Sequence, residues 1–415
     1  MRRSKNLKKY QVFKITPWPR KKLGEICEII AGQAPPSEFY NTKGLGKPFL
    51  KVSSFGEIYP KIDTWTTKSL RESREGDVLF SVAGSLGMVN LGINACITRS
   101  IFALRPNTKL VLQKFLFYSL KFFGKVIANS GAGTAQKIIT ISQLSNFQIP
   151  LPPLPIQKKI VSILDTIQSA IDIQNKIIEK TKELKKSIMA DLFKYGGPSF
   201  RKGRKLKKTE IGEIPENWEV VRLGEVGLKV KAGGTPNTSK EEYWNGEISF
   251  ALIEDLVNAG KFLTKTKTSI TKNGLKNSSS WVLPENSIIL SLYATVGKPV
   301  INKIPVAITQ NMLGIIPNRQ IVDCEFLFYA LENSQNNLWK YTDISVHKHI
   351  TVSKAKNILI PLPPLSEQRE IAEILQTIDQ KIEIEQKKKE LYEELFKTML
   401  NKIFNQEIDI EKIKI

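Results

Sequence analysis

The sequence is short of the residues that build metal sites and disulfides. Its 415 residues include three cysteines (Cys27, Cys96 and Cys324) and two histidines (His347 and His349). Three scattered cysteines are too few for a disulfide framework or a zinc site, and neither cysteines nor clustered acids stand near the histidines. The composition therefore predicts a cytoplasmic protein without a bound metal.

Long apolar runs and acidic residues are also scarce. No run of about 18 apolar residues occurs, so no membrane span is predicted, and the basic residues 1–6 lead into no apolar segment of a secretory signal. Lys and Arg number 62 against 40 Asp and Glu, a net charge of +22. This excess favours a polyanionic partner, nucleic acid first; a lysine-rich genome composition is the alternative.

The sequence does contain a long internal repeat. Ile-Pro-Leu-Pro-Pro-Leu occurs at residues 149–154 and again at 360–365, an offset of 211 residues (360 minus 149). Over residues 149–164 against 360–375, 10 of 16 positions are identical. Shorter matches at similar offsets run through the rest of the chain. A period this long indicates a duplicated domain with its helix rather than a solenoid.

Each proline motif leads into a long pattern with apolar residues every three or four positions. A mean spacing of about 3.5 residues predicts a coiled-coil seam, and about 40 residues of helix would span about 60 Å. Gln174 and Glu385 interrupt the two patterns at equivalent positions, as polar residues that fix register do; an error in the assumed register is the alternative. The predicted seam comprises Ile160, Ile163, Ile167, Ile171, Ile178, Leu184, Ile188, Ile371, Ile374, Ile378, Ile382, Leu395 and Met399.

The segments outside these helices predict an α+β fold, because short β-rich runs alternate with short helical ones. We expect two similar globular domains at residues 1–153 and 218–364. Each is followed by a helix, at 154–196 and 365–408, with a basic linker at 197–217. The loops between the shared motifs differ, as expected when one scaffold reads two different targets.

The order of these motifs resembles the specificity subunits of type I restriction–modification systems. The resemblance rests on the two Pro-Leu-Pro-Pro-Leu helices, on residues 208–218 and on Gly233-Gly-Thr-Pro236, which the first copy replaces with Gly32-Gln-Ala-Pro35. It implies that each globular domain is a target recognition domain for half of a split, asymmetric DNA site. It further implies that the helices form an antiparallel coiled coil that sets the spacing and docks two methyltransferase subunits, which restriction subunits join.

The resemblance also implies a chain without catalysis, with S-adenosylmethionine and ATP bound by the partners. The residues agree. A DNA methyltransferase needs Asn or Asp before a Pro-Pro-aromatic sequence, but the Pro-Pro pairs here lie in Leu-Pro-Pro-Leu, and Val296-Gly-Lys-Pro299 ends in proline where a phosphate loop needs Ser or Thr. A coiled-coil adaptor that binds only proteins, and an enzyme fused to its own reader, are the other hypotheses.

Candidate DNA contacts are polar or basic residues at matched positions of the two copies. Lys137 and Lys348 match, as phosphate anchors would, whereas Gln136 and His347 differ, as base-reading residues would. Arg99-Ser100 against Gln310-Asn311 is a second divergent pair, and the glycine-rich turn of Thr235 could offer amides to a phosphate. Hydrogen-bonded turn and strand-end residues are the structural alternative. The candidates are Arg99, Ser100, Gln136, Lys137, Thr140, Thr235, Gln310, Asn311, His347, Lys348, His349 and Thr351.

Overall fold

Two units make up the chain in the computed structural model, which describes residues 17–129, 137–293, 295–335 and 349–413. Unit 1 comprises Met1–Asn175 with Lys387–Ile415, and unit 2 comprises Lys176–Gln386. The described helices are α1 (Leu23–Ile26), α2 (Gln113–Asn129), α3 (Ile141–Asn146), α4 (Leu154–Tyr195), α5 (Ile253–Asn258), α6 (Lys272–Lys276), α7 (Cys324–Ser334), α8 (Val352–Lys356) and α9 (Leu365–Phe404).

The globular part of unit 1 has two small sheets. Its strands are β1 (Arg20–Lys22), β2 (Cys27–Ala31), β3 (Tyr40–Asn41), β4 (Lys47–Leu50), β5 (Trp65–Thr66), β6 (Glu72–Ser73), β7 (Val78–Ser81), β8 (Val89–Leu91), β9 (Ala95–Ile97), β10 (Ile101–Pro106) and β11 (Gln148–Pro150). One sheet runs β2-β10-β7-β8 and the other β3-β5-β4-β9-β6, while β1 pairs with β11. The strand that contains the start of the proline motif, β11, therefore lies beside β1, where the chain enters the globular part.

Unit 2 has the corresponding sheets. Its strands are β12 (Leu206–Thr209), β13 (Gly212–Pro215), β14 (Glu219–Arg222), β15 (Gly227–Ala232), β16 (Trp244–Ala251), β17 (Phe262–Leu263), β18 (Thr268–Ile270), β19 (Val282–Leu283), β20 (Ile288–Ser291), β21 (Pro299–Asn302), β22 (Val306–Ile308), β23 (Met312–Pro317) and β24 (Leu359–Leu362). The sheets run β15-β23-β20-β21-β17 and β18-β16-β22-β19, and β14 pairs with β24.

The two globular parts share one topology, so the sequence repeat is also a structural repeat. The antiparallel order β2-β10-β7-β8 corresponds to β15-β23-β20-β21. A parallel pair, β4 with β9 and β16 with β22, stands in the second sheet of each unit. The additions differ, since β17 extends a sheet in unit 2 whereas β3 extends one in unit 1. The shared strands form the scaffold, and the unlike segments are attached to it.

A buried glutamine joins each globular part to its helix. Gln157 and Gln368, 211 positions apart (368 minus 157), are 0% exposed. Gln368 Nε2 donates to the carbonyl oxygens of Ile321 and Pro363 at 2.9 and 2.7 Å, and its Oε1 accepts from Asp323 N–H at 2.8 Å. Gln157 makes the equivalent three bonds, at 2.9, 2.8 and 2.9 Å. Each helix is thus fixed at its first turn by bonds that satisfy buried backbone groups.

Both long helices begin directly after a Pro-Pro pair, at Leu154 and Leu365. Proline cannot continue a helix interior but fits its start, which explains the sharp boundary. Each unit contains the start of one long helix and the end of the other. In unit 1, the start of α4 enters the core through Ile160 and Leu164, and the end of α9 enters the same core through Ile403 and Phe404. In unit 2 the other end of α4 packs with the first turns of α9. An antiparallel pairing of the helices requires this arrangement.

The buried face of the helices differs from the predicted seam at Leu184 and Leu395, which are 53% and 45% exposed. Lys185 takes the inward position in unit 2, where its Nζ lies 2.7 Å from Glu332 Oε2 and 2.8 Å from Asp379 Oδ1. In unit 1, Phe396 packs on the core in place of the neighbouring Leu395. The other eleven residues of the predicted seam are buried or partly buried. The four buried residues are Ile160, Ile171, Ile178 and Ile371. The seven partly buried residues are Ile163, Ile167, Ile188, Ile374, Ile378, Ile382 and Met399. Gln174 and Glu385 are 5% and 2% exposed.

The basic segment at 197–217 is folded rather than a free linker. It contains the β12–β13 hairpin, and Lys194 Nζ lies 2.9 Å from Glu213 Oε2. Arg204 forms a bidentate ion pair with Glu367, whose side chain is fully buried. Glu367 also accepts from Trp218 Nε1–H at 3.0 Å and Gly197 N–H at 3.1 Å. A buried carboxylate is tolerated only with such partners, so this segment belongs to the core of unit 2.

Candidate nucleic-acid interface

Arg99 and Ser100 are the two central residues of a tight turn between β9 and β10. Ile101 N–H donates to Thr98 O at 3.0 Å and closes the turn. The Arg99 side chain is exposed and Ser100 is half-buried. Among the described residues, the Arg99 guanidinium has no hydrogen-bond or ion-pair partner. Within that part of the chain it is a cation without a partner, on a fixed backbone.

Gln310 and Asn311 form the same turn in unit 2, between β22 and β23. Met312 N–H donates to Thr309 O at 3.2 Å. Gln310 is exposed and Asn311 half-buried, as at the equivalent positions of unit 1. We call these two turns the edge turns. They place unlike side chains on the same backbone frame.

Two hydrogen bonds connect each edge turn to the segment that carries the other candidates. In unit 1, Val82 N–H donates to Ser100 O at 2.9 Å, and Ile139 N–H donates to Val82 O at 3.0 Å. Ile139 lies two positions after the exposed Lys137. The edge turn and the segment of Lys137 therefore lie on either side of Val82, at the end of β7. The structure therefore brings together residues about 40 positions apart in sequence.

Unit 2 repeats this connection. Leu292 N–H donates to Asn311 O at 2.9 Å, and Ile350 N–H donates to Leu292 O at 3.0 Å. His349 is half-buried and pairs with Tyr293 through an antiparallel bridge. Gln136, His347 and Lys348 lie outside the described residues. The matched bonds show that both units build the same edge.

Thr140 and Thr351 are helix N-caps. Thr140 Oγ1 accepts from Gln143 N–H at 3.2 Å at the start of α3, and Thr351 Oγ1 accepts from Lys354 N–H at 3.3 Å at the start of α8. An N-cap hydroxyl satisfies one of the free amides of the first helical turn. The match between the two threonines thus has a local structural reason, and a DNA contact at these positions stays a prediction.

The glycine-rich turns pack against the edge turns. Gln33 N–H donates to Ile97 O at 2.9 Å, and Gly234 N–H donates to Ile308 O at 3.0 Å. A Cβ on Gly233 would lie 1.9 Å from Ile308 O, so only glycine allows this approach. Gly233 N–H also donates, to Met312 O at 3.2 Å. Both glycine amides are used within the protein, which leaves neither for the phosphate contact expected at this turn.

Thr235 instead contacts another candidate residue. Its hydroxyl donates to Oε1 of Gln310, 75 positions away in sequence. The equivalent residue of unit 1 is Ala34, which has no hydroxyl. Gln310 is therefore fixed by a neighbouring side chain, whereas none of the side chains that the structure describes fixes Arg99 in this way.

The sequence analysis did not predict the aromatic pair that lies beside each glycine-rich turn. In unit 1 the rings of Tyr40 and Phe49 stack at 4.5 Å, and Lys51 Nζ lies 5.8 Å from the Tyr40 centroid. In unit 2 Trp244 meets Phe250 edge-on at 5.7 Å. The aromatic residues recur at offsets of 204 and 201 (244 minus 40, 250 minus 49), a signal that a comparison of the two copies could have found.

Lys298 lies in the Gly-Lys-Pro sequence that differs from a phosphate-loop motif at its proline. The structure gives this lysine a structural role. Its Nζ donates to the carbonyl oxygens of Leu256, Val257 and Ala259 at 2.6, 2.9 and 2.7 Å. These carbonyls end α5, where a cation interacts favourably with the helix dipole. Burial lowers the pKa of Lys298.

In the described parts of the chain, no three His, Cys, Asp or Glu side chains come together as ligands for a metal ion. Within the same residues, none of the helices combines the length and apolar character that crossing a bilayer needs.

Two copies of one α+β domain, each followed by a long helix, define the class of this protein. The family model described as "Type I restriction modification DNA specificity domain" matches it twice, at residues 16–183 and 215–394. The chain belongs to this family.

Named relatives match along nearly the whole chain. It is 30% identical over 439 residues to the putative type I restriction enzyme MjaX specificity subunit of Methanocaldococcus jannaschii, covering 99% of this chain and 98% of that protein. The MjaVIII specificity subunit of the same organism is 30% identical over 407 residues, covering 95% and 94%. A solved chain from a type I restriction–modification system has a TM-score of 0.61 and 20% identity, covering 94% of this chain and 99% of that one, and it supports the fold.

Proposed function

We propose that this chain is the DNA sequence-specificity subunit of a type I restriction–modification complex. The globular part of each unit reads one half of a bipartite, asymmetric site, and the long helices set the spacing. The observation that carries this proposal is the pair of edge turns, in which one hydrogen-bonded frame presents Arg99-Ser100 in unit 1 and Gln310-Asn311 in unit 2. A shared frame with unlike polar side chains is what two readers of different base sequences need.

The charge of the chain supports a DNA partner. The net charge of +22 suits a polyanion, and exposed Lys137 lies beside the edge turn of unit 1. A lysine near the base-reading residues would hold a phosphate, which every DNA sequence offers. We therefore assign Lys137 to positioning on the backbone and the edge turns to base reading.

Exposed apolar residues on the helices support docking of other subunits. Ile177 and Leu184, seven positions apart on α4, are 38% and 53% exposed within unit 2. Leu391 and Leu395, four positions apart on α9, are 64% and 45% exposed within unit 1. Such spacing places the members of each pair on one helix face, where a partner helix packs. We assign these faces to two methyltransferase subunits, which restriction subunits join.

The chemistry follows this division of labour. We propose that this chain binds neither S-adenosylmethionine nor ATP, and that the partner subunits bind both and carry out methylation and cleavage. The sequence supports this assignment, because it lacks the polar-Pro-Pro-aromatic motif with which a DNA methyltransferase holds its target base.

The test is the methylation pattern that the complex writes. The full chain is co-expressed with its methyltransferase subunit in a host without other methylation, and methylated bases are mapped by single-molecule sequencing. We expect one gapped motif with two defined halves and an unspecified spacer. A contiguous motif, or methylation without sequence preference, would contradict the proposal.

A further inference from the structure

The first central residue of each edge turn has the surroundings of a base reader. Arg99 and Gln310 are both exposed, while the backbone behind them is fixed by bonds to Val82 and Leu292. A side chain that discriminates between bases must reach outward from a rigid support, because a mobile support would let it adapt to the wrong base. These two positions meet that requirement in the same way.

The two positions differ in what holds the side chain. The Thr235 hydroxyl donates to Gln310 Oε1, and Thr235 follows Gly234, whose amide is itself bonded to Ile308 O. The glutamine is therefore held at the end of a short, fixed chain of contacts. Ala34 at the equivalent position of unit 1 leaves Arg99 without such a partner.

The chemistry of the held glutamine selects a base. The Thr235 hydroxyl occupies one lone pair of Gln310 Oε1, which leaves the second lone pair and both Nε2 hydrogens for a ligand. Adenine presents a complementary donor and acceptor, N6–H and N7, in the major groove. A free guanidinium such as that of Arg99 instead matches the two acceptors of guanine, O6 and N7.

We infer that the first central residue of each edge turn determines base specificity, with Gln310 reading an adenine and Arg99 a guanine, and that Thr235 positions Gln310. This inference rests on the proposed function. It goes further by assigning one base position in each half-site to one named side chain. It also assigns Thr235 a role without any contact to DNA.

The experiment maps methylated bases in hosts that express the complex with the full-length chain or a variant. Gln310→Arg is expected to change one adenine to guanine in one half-site, with a preference of about 10-fold to 100-fold over the former base. The other half-site and the spacer stay unchanged. Gln320→Arg is the matched control, because it adds the same charge to an exposed residue at the opposite end of β23.

Thr235 is tested in the same assay. Thr235→Ala is expected to weaken the preference for adenine at that position by about 10-fold, and Thr235→Ser to restore it, because serine keeps the hydroxyl. A purely structural role would lower methylation of every site variant together and leave the base preference unchanged. That result would overturn the assignment of Thr235.

The outcomes separate this inference from the proposed function. If the unaltered chain writes no gapped motif, the proposed function fails. If the motif is gapped but Gln310→Arg changes no base, or acts as Gln320→Arg does, only the inference fails. Equal loss of methylation at every variant of the site would also overturn it, because a residue that touches only the backbone has that effect.

Discussion

Replacing Gln368 with methionine should strongly destabilise unit 2. Methionine has a similar length but offers none of the three hydrogen bonds, so Asp323 N–H and the carbonyls of Ile321 and Pro363 would lose their glutamine partner. A buried polar group left without a partner costs about 1–3 kcal/mol. Because the side chain is 0% exposed, water cannot easily replace it. We expect a total loss of about 3–5 kcal/mol, which is a large part of the stability of a typical domain.

The assay is thermal and urea unfolding of the full chain, followed by tryptophan fluorescence. For a unit of this size, such a loss lowers Tm by roughly 6–20 °C. Gln380→Met is the matched control, since Gln380 is an exposed residue of the same helix, and its effect should stay within about 0.5 kcal/mol. Gln157→Met should repeat the effect in unit 1. A loss of under about 1 kcal/mol for both buried glutamines would refute the reasoning.

Four further predictions concern packing, charge and DNA binding. Gly233→Ala should cost at least about 2 kcal/mol in unfolding free energy, because its Cβ would lie 1.9 Å from a carbonyl oxygen, whereas Gly260→Ala, with nothing within 4 Å, should be neutral. Glu367→Gln should cost about 3–5 kcal/mol in urea unfolding, because it leaves Arg204, whose side chain is only 10% exposed, without its counter-charge; a loss below about 1 kcal/mol would contradict this. Burial opposes the charge of Lys185, but its two carboxylate partners raise its pKa overall, so the stability it adds is complete below pH 10.5 and lost as pH rises above it. This loss is measured as a fall in the unfolding midpoint as pH rises, and Lys185→Met should remove the part of the fall that comes from Lys185. DNA affinity should fall by at least about 10-fold between 50 and 200 mM salt, measured by fluorescence anisotropy; a constant affinity would contradict the phosphate contacts.

The repeat and the ends of the helices could be predicted because their signals are local. Proline fixes its own backbone and cannot donate a hydrogen bond, so Pro153 and Pro364 mark the helix starts in any tertiary context. The identical spacing of motifs in both copies also predicts a shared topology. Neither conclusion needs contacts between distant residues.

Contacts between distant residues explain what the sequence could not predict. Leu184 fits the heptad pattern, but the neighbouring Lys185 turns inward to Asp379, nearly 200 positions away. The basic segment folds because Arg204 meets Glu367, 163 positions on. The bond between Thr235 and Gln310 spans 75 positions. Each such contact depends on the fold, and one sequence carries no local signal for it.

Exchange of one globular part tests the central claim most directly. Because β14 and β24 pair along Glu219–Arg222 and Leu359–Leu362, the segment between them enters and leaves at adjacent strands and can be replaced by its counterpart from a relative with a different half-site. Methylated bases are then mapped for the hybrid complex. We predict that one half of the motif becomes that of the relative, while the other half and the spacer are retained. A hybrid that keeps the original motif, or changes both halves, would contradict a chain in which each unit reads its own half-site.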